Sequence, residues 1–250
     1  VLVIGGSKEY HGAPIYASLA ASYISDLVYI ASPKGTAKII KSSSPDFIVF
    51  PTEKNHFILE DVDYLKTISE KTDSILLGVG MGRDQETVET MVELLKSVCD
   101  RKIIIDADGL FAIKENLEVL KNNNVCITPH QNEYKQLFGE PLTEENISIN
   151  AKKYGISIVC KGAVDLISDG YKVMKNFTGN AGMTTGGTGD ILSGLITAFA
   201  NKGTILDAAC AGTFLNGMTG DITAEEMGMN FRSSDMISRI PKALKFCENY

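Results

Sequence analysis

The chain has 250 residues, of which 44% are hydrophobic and 22% charged, and 24 basic against 31 acidic side chains leave a net charge of −7. This is the composition of a globular chain and excludes a disordered, collagenous or membrane-embedded one. An acidic balance without a long basic run argues against nucleic acid as a partner, yet leaves room for a locally positive pocket that takes a small phosphorylated ligand.

Val1-Leu2-Val3-Ile4 opens the chain as a strand, not as the charged start of a signal peptide. No apolar run reaches the 18 or so residues needed to cross a bilayer. A cytoplasmic protein with no membrane partner is therefore expected, and the missing initiator Met suggests trimming. Short β-branched runs then alternate with stretches of helical period. Strands are expected at 1–4, 47–50, 75–77, 103–105, 126–127 and 156–160, most of them ending in Gly or Asp. Helices are expected at about 14–25, 84–98, 131–138, 190–200, 206–221 and 233–246. Continuously apolar strands with intervening helices predict a parallel sheet buried on both faces. Residues 164–168 and 171–174 around Asp169-Gly170 predict an antiparallel edge hairpin. The stretch 41–45 is the nearest candidate for a linker, but a strand resumes at once, so residues 1–250 are expected to form a single domain.

Five cysteines, at 99, 126, 160, 210 and 247, show no CxxC pair and read as buried thiols of a reducing compartment. His11, His56 and His130 are too scattered for a transition-metal site. In an open α/β sheet, ligands sit at the carboxyl ends of the strands, where the Gly and polar clusters of this chain fall.

Residues 176–194, NFTGNAGMTTGGTGDILSG, are the most informative. Gly186-Gly187-Thr188-Gly189 can turn tightly and present successive backbone N–H groups to an anion, and the apolar period beginning at Ile191 places them at a helix N-terminus. Asp190 stands where a helix dipole favours a carboxylate, so capping explains it as well as chemistry does from this stretch alone. Beside a phosphate cradle, however, a carboxylate can deprotonate a hydroxyl that attacks a terminal phosphate. The lysine and spacing of a P-loop are missing. Elsewhere, His130 reads as a polar loop residue, Glu133 as a first-turn helix acid and Lys161 as a solvated lysine before a turn. Asp106 and Asp108 read as structural or supporting carboxylates, which either point alike or splay.

GGTGDILSG resembles the GGTGDVLSG signature of the ADP- or ATP-dependent NAD(P)H-hydrate dehydratases, a branch of the ribokinase-like superfamily. The resemblance extends, in order, through VLVIGGSKEYHGAPIYASLAA at 1–21, GVGMGRD at 78–84, IIIDADGL at 103–110, CITPHQNEYKQL at 126–137, KGAVDLISDG at 161–170 and NAGMTTGGTGD at 180–190. It implies a ribokinase-like α/β fold, a mostly parallel central sheet with helices on both faces. It also implies a lyase of metabolite repair that dehydrates the S-epimer of hydrated NADH or NADPH, with Mg²⁺ as cofactor and ADP or ATP as co-substrate. Phosphorylation of the 6-hydroxyl and elimination of phosphate is the implied route, releasing AMP when ADP is the donor.

Carried over by motif, Asp190 is the base and touches the substrate. Lys161, Gly162, Ala163, Val164 and Asp165 bind the nucleotide. Gly186, Gly187, Thr188 and Gly189 form the anion hole and hold the nucleotide phosphates. Ala13, Gly80, Gly82 and His130 contact the hydrated dinucleotide, and Glu133 holds Mg²⁺ through water. Asp165 departs from the Thr common in the family, and Asn132 from a small residue. The free-standing form points to ADP as donor, to no N-terminal epimerase domain, and to a homo-oligomer such as a tetramer. Two rivals remain, a vitamin-precursor kinase of the same superfamily and a non-catalytic nucleotide-binding protein. The TPH segment, the early GGS…YHGAP stretch and Asp190 itself favour the dehydratase.

Overall fold

The apolar runs assemble into one nine-stranded sheet of order β3-β2-β1-β4-β5-β6-β7-β8-β9. The structure is a computed structural model that describes residues 1–98, 100–121 and 124–247; Cys99 therefore lies outside the described residues. Its first half runs β1 (Leu2–Ile4), α1 (Gly12–Ser22), β2 (Val28–Ser32), α2 (Lys34–Ser43), β3 (Phe47–Pro51), α3 (Val62–Ser69), β4 (Ser74–Leu77), α4 (Gln85–Ser97), β5 (Lys102–Ile105) and α5 (Asp108–Ile113). The second half runs β6 (Asn124–Ile127), α6 (Gln131–Phe138), α7 (Glu144–Tyr154), β7 (Ser157–Cys160), β8 (Asp165–Ser168), β9 (Val173–Asn176), α8 (Thr188–Ala200), α9 (Ile205–Met227), α10 (Ser233–Ile237) and α11 (Ile240–Cys247). Strands β1 to β7 pair in parallel, and β8 and β9 close one edge antiparallel. This is the ribokinase-like architecture that the resemblance implied.

Alternation along the strands explains why both faces are covered. Ile4, Leu77 and Ile105 point into one core with Leu65, Met91 and Leu95 from α3 and α4. Val3, Leu76 and Ile104 point into the other with Ala17 of α1, Ile196 of α8 and Ala208 of α9. Each fully buried Leu or Ile contributes about 1.5–3 kcal/mol relative to exposure. A third cluster, including Leu195, Leu215 and Met236, seals α8 against α9 and α10. Helix α8 thus lies within the core, with Ile191 through Ala198 all buried. Its approach to α1 needs Gly194, where a Cβ would stand 2.2 Å from the Ala17 carbonyl oxygen.

Several boundaries differ from expectation for local reasons. The stretch at 41–45 is the end of α2 and the turn into β3, and α2, α3 and α7 are amphipathic helices too short or too polar to stand out in the sequence. Helix α9 continues to Met227 and stops at Gly228, whose positive φ ends it. The expected helix at 233–246 breaks at Ser238 and Arg239, because Pro241 fits only the first turn of a new helix. The edge hairpin forms, but its strands register Ser168 with Val173; Asp169 Oδ1 accepts from the Tyr171 and Lys172 amides, both at 2.9 Å, and widens the turn. Cys126 and Cys160 are buried free thiols, whereas Cys210 and Cys247 are only half-buried. No helix among the described residues is long and apolar enough to cross a membrane.

Strand order reverses where β1 is flanked by β2 on one side and β4 on the other. Open α/β sheets bind ligands at the carboxyl ends of the strands beside such a reversal. The loops after β1, β4, β5, β6 and β7, and the N-terminus of α8, gather there.

Candidate active site

Helix α8 begins in the middle of this rim. Gly187, its N-cap, has φ +101°, a conformation that favours glycine. Thr188, Gly189 and Asp190 follow as first-turn residues, whose N–H groups have no carbonyl one turn earlier to donate to. The turn is held from outside. Ser233 Oγ donates to the Gly186 carbonyl at 2.7 Å, and Thr188 Oγ1 lies 2.8 Å from the Met183 carbonyl oxygen. Asp221 of α9 accepts from the Gly179 amide and from Asn180 Nδ2, each at 2.9 Å. A loop tied at this many points presents its amides to an anion without having to reorganise.

Two clefts meet at this turn. One, of about 390 Å³, is lined by Lys161, Gly162, Ala163 and Asp165 after β7, by Thr188 and Gly189, and by Thr213, Asn216 and Gly217 of α9. The other, of about 740 Å³, is lined by Tyr10, Ala13, Gly80, Gly82, Asp108 and Asp190 among others. Successive residues of one helical turn, Gly189 and Asp190, therefore face different clefts.

Beneath them Lys161 Nζ donates to Asp106 Oδ1 at 2.9 Å, with the Asp106 side chain 3% exposed. Burial works against the lysine's charge, but Asp106, then Glu133 and Asp190, outweigh it and hold its pKa above the ordinary value. A Cβ on Gly189 would stand 3.4 Å from Lys161 Nζ, so a phosphate at the helix N-terminus would meet both the amides and an ammonium. Burial is also the chief reason that the Asp190 carboxyl is pushed up to about 7; the Asp106 charge adds to it, Lys161 opposes it and Asp108 adds again. A carboxyl tuned to that range is matched to proton transfer near neutral pH.

Asp106 and Asp108 splay. Between them Ala107 has φ +53°, the only positive φ outside glycine among the described residues, and such backbone costs about 1–3 kcal/mol. It turns Asp106 towards Lys161 and Asp108 towards the larger cleft, where Oδ2 accepts from the Gly82 amide at 3.0 Å. Asp165 sits between two donors, the Gly162 amide and Asn176 Nδ2, each at 2.9 Å. Burial nevertheless raises its pKa above the ordinary value.

His130 and Glu133 take a different position from the rest. His130 caps α6, its Nδ1 accepting from the Asn132 and Glu133 amides at 3.1 and 3.2 Å. Glu133 Oε2 accepts in return from the His130 amide at 2.8 Å, a reciprocal capping box. Since Nδ1 accepts, the proton of the neutral ring sits on Nε2. His130 bridges to Lys161 in the backbone, but lines neither cleft. Val164, Gly186 and Gly187 do not line them either. Among the described residues no group of three or more His, Cys, Asp or Glu side chains is arranged to hold a metal. Mg²⁺ bound here would need water and nucleotide phosphates beside a single acid; Glu133, the acid that the resemblance implies, lines neither cleft and has Oε2 engaged by the His130 amide. Sequence reasoning missed Asn216, Asp221 and Ser233, which support or line the site from α9 and α10. Asn216 and Asp221, polar residues within the apolar period of α9, were the signal available for two of them.

The structures of other proteins repeat this arrangement of sheet and helices. A ribokinase-like superfamily protein from Enterococcus faecalis, 25% identical, superposes with a TM-score of 0.84 over 98% of this chain and 86% of its own. The ADP/ATP-dependent NAD(P)H-hydrate dehydratase of Bacillus subtilis, 21% identical and co-crystallised with ATP and Mg²⁺, superposes with a TM-score of 0.79 over 98% and 88%. In sequence, the chain is 36% identical to the ADP-dependent (S)-NAD(P)H-hydrate dehydratase of Nitrosopumilus maritimus, over 98% of this chain and 88% of that one. It is 40% identical to the bifunctional NAD(P)H-hydrate repair enzyme of Pyrobaculum aerophilum, with 98% of this chain matched, and spans about half (50%) of that protein's length. A family model described as NAD(P)H-hydrate dehydratase matches residues 1–242, a range that takes in both clefts and the turn between them, and the chain belongs to that family.

Proposed function

We propose that this chain dehydrates the S-epimer of hydrated NADH or NADPH at the expense of ADP, returning NAD(P)H, phosphate and AMP. The observation that carries this reading is the placing of Gly189 and Asp190 on adjacent clefts. A phosphoryl donor in the smaller cleft ends against the amides of α8 and Lys161, while a hydroxyl in the larger cleft meets Asp190. The family match and the relatives' names supply the identity of the two ligands.

In this reading Asp190 accepts the proton of the 6-hydroxyl as its oxygen attacks the terminal phosphorus. The amides of Gly186 through Gly189, nearest of them Thr188 and Gly189, stabilise the charge on the transferring group. Lys161, fixed by Asp106, neutralises the donor's phosphates, and Gly162, Ala163, Val164 and Asp165 shape the rest of the nucleotide site. Ala13, Gly80 and Gly82 bring backbone close to the hydrated ring, and His130 offers Nε2–H from the rim. Glu133 with the nucleotide phosphates would hold Mg²⁺, which supplies charge neutralisation. The ring nitrogen's electron pair then expels phosphate from C6, a far better leaving group than hydroxide, and loss of a proton from C5 to solvent restores the C5–C6 double bond. Protein, Mg²⁺, hydrated NADH and either ADP or ATP are incubated while the dihydronicotinamide absorbance is followed. Nucleotide-dependent recovery of NADH, faster with ADP, is expected; no recovery with either nucleotide refutes the reading.

A further inference from the structure

The larger cleft is acidic. Glu9, Asp84, Asp108 and Asp190 line it, and Arg83 is the one cation among its lining residues. A dinucleotide carries phosphate charges that four carboxylates repel, so its anionic part has one favourable place to go. Arg83 is already oriented for that contact. Its Nε donates to Asp108 Oδ1 at 2.8 Å, while Asp108 is itself held by the Gly82 amide at 3.0 Å. The guanidinium lies 4.8 Å from the centre of the Phe111 ring, within cation–π range. Nε is thus committed, and the Nη1 and Nη2 pair is left without a partner among the described residues. Two parallel N–H groups in that fork match two oxygens of one phosphate.

We propose that Arg83, clamped between Asp108 and Phe111, is the phosphate-binding residue of the substrate cleft and grips a phosphate of the hydrated dinucleotide. The proposal rests on the dehydratase reading for the identity of that ligand. It also gives Asp108 a role distinct from that of Asp106: Asp108 orients the cation that holds the substrate, and Asp106 the one at the nucleotide. The Arg83 side chain is 60% exposed, so solvent weakens the contact and a loss of about 5- to 50-fold is expected rather than the larger effects of buried forks.

The test compares wild type with Arg83→Met, which keeps the stem over Phe111, and Arg83→Lys, which keeps the charge without the fork. KM is measured for four hydrated substrates: those of NADPH, NADH, dihydronicotinamide mononucleotide and dihydronicotinamide riboside. In parallel, affinities for unhydrated NADH and the reduced riboside are read by dihydronicotinamide fluorescence, and ADP affinity by calorimetry. Arg83→Met is expected to raise KM for the phosphorylated substrates by the stated factor and the riboside's by less than about threefold, with ADP affinity unchanged and Arg83→Lys intermediate. A penalty confined to hydrated NADPH also supports the grip and places it on the 2′-phosphate. An equal penalty on the riboside, or none on any substrate, overturns it. If wild type fails to regenerate NADH from its hydrate, the dehydratase reading falls, and the fluorescence titrations still decide whether Arg83 binds the dinucleotide through phosphate.

Discussion

Replacing Asp190 with Asn removes the charge that burial and two neighbouring acids oppose, and leaves a residue that still suits the first turn of α8. The wild-type carboxyl is raised from 3.8 to about 7. Its effect on stability has a definite sign. Between about pH 4 and 7 the folded protein keeps a proton that the unfolded chain has already released, so stability falls as pH rises through that window. Above it both states are ionised and the full penalty remains. At about 1.4 kcal/mol per unit the ceiling is roughly 4 kcal/mol; loss of a favourable helix-dipole interaction returns about 0.3–1 kcal/mol of that. Asp190→Asn is therefore expected to be more stable than wild type by up to about 3–4 kcal/mol at pH 8, or roughly 6–15 °C in Tm for a chain of this size. The two proteins should melt together near pH 4. Turnover should move the other way, with kcat down by at least about 10²-fold for loss of a general base, and wild-type kcat/KM should itself decline as pH falls below about 7. Melting curves at pH 4, 6 and 8, ADP affinity and kcat on one preparation settle the matter. A variant that is no more stable at pH 8 than wild type contradicts the buried, charge-opposed setting of Asp190. One that keeps more than about a tenth of kcat contradicts its role as base.

The anion hole is tested by Gly189→Ala. Its Cβ would stand 3.4 Å from Lys161 Nζ and 3.9 Å from Asp106 Oδ2, so the helix should tolerate it and gain up to about 1 kcal/mol, while calorimetry should show ADP affinity down by tenfold or more; unchanged affinity would place the phosphates elsewhere. Gly187→Val is a poorer probe, since φ +101° and a Cβ 2.9 Å from Ser233 Cβ strain the fold as well. Lys161→Met leaves Asp106 buried without its partner and should cost about 3–5 kcal/mol in denaturant melts. Adding Asp106→Asn should restore most of that stability but not nucleotide binding, and recovery of both would make Lys161 purely structural. His130→Ala removes the α6 cap and should cost about 1 kcal/mol, with KM for hydrated NADH rising more than KM for ADP. His130→Asn keeps a cap, so if it restores stability and KM together, the residue contributes only the cap.

How much of this site can be read from the sequence follows from how far apart its partners lie. The glycine turn, Asp190 and the start of α8 are legible because a run of small residues, a carboxylate and an apolar period stand side by side. The parallel sheet is legible for the same reason: strands such as Ser74–Leu77 and Ser157–Cys160 are buried at every position, which leaves a continuous apolar run in the sequence. The interactions that tune the site are not local. Lys161 finds Asp106 across 55 residues, Ser233 finds Gly186 across 47, Asp221 finds Asn180 across 41 and Arg83 finds Asp108 across 25. The first and last depend on which strand ends the sheet order brings together, the other two on how α9 and α10 pack against the glycine turn, and no spacing rule encodes either.

Ala107 shows the limit most clearly. In the sequence, Asp106-Ala107-Asp108 is two acids around a small residue, and whether they point alike or splay is undetermined. The left-handed backbone at Ala107 decides it, sending one carboxylate to the lysine of the smaller cleft and the other to the arginine of the larger. Both carboxylates also raise the pKa of Asp190. One strand end thus positions a cation in each cleft and adds to the raised pKa of the carboxyl between them. On the proposed mechanism that gives the strained residue a chemical purpose: relaxing Ala107 would let the acids drift, loosening both cations and lowering the pKa of Asp190.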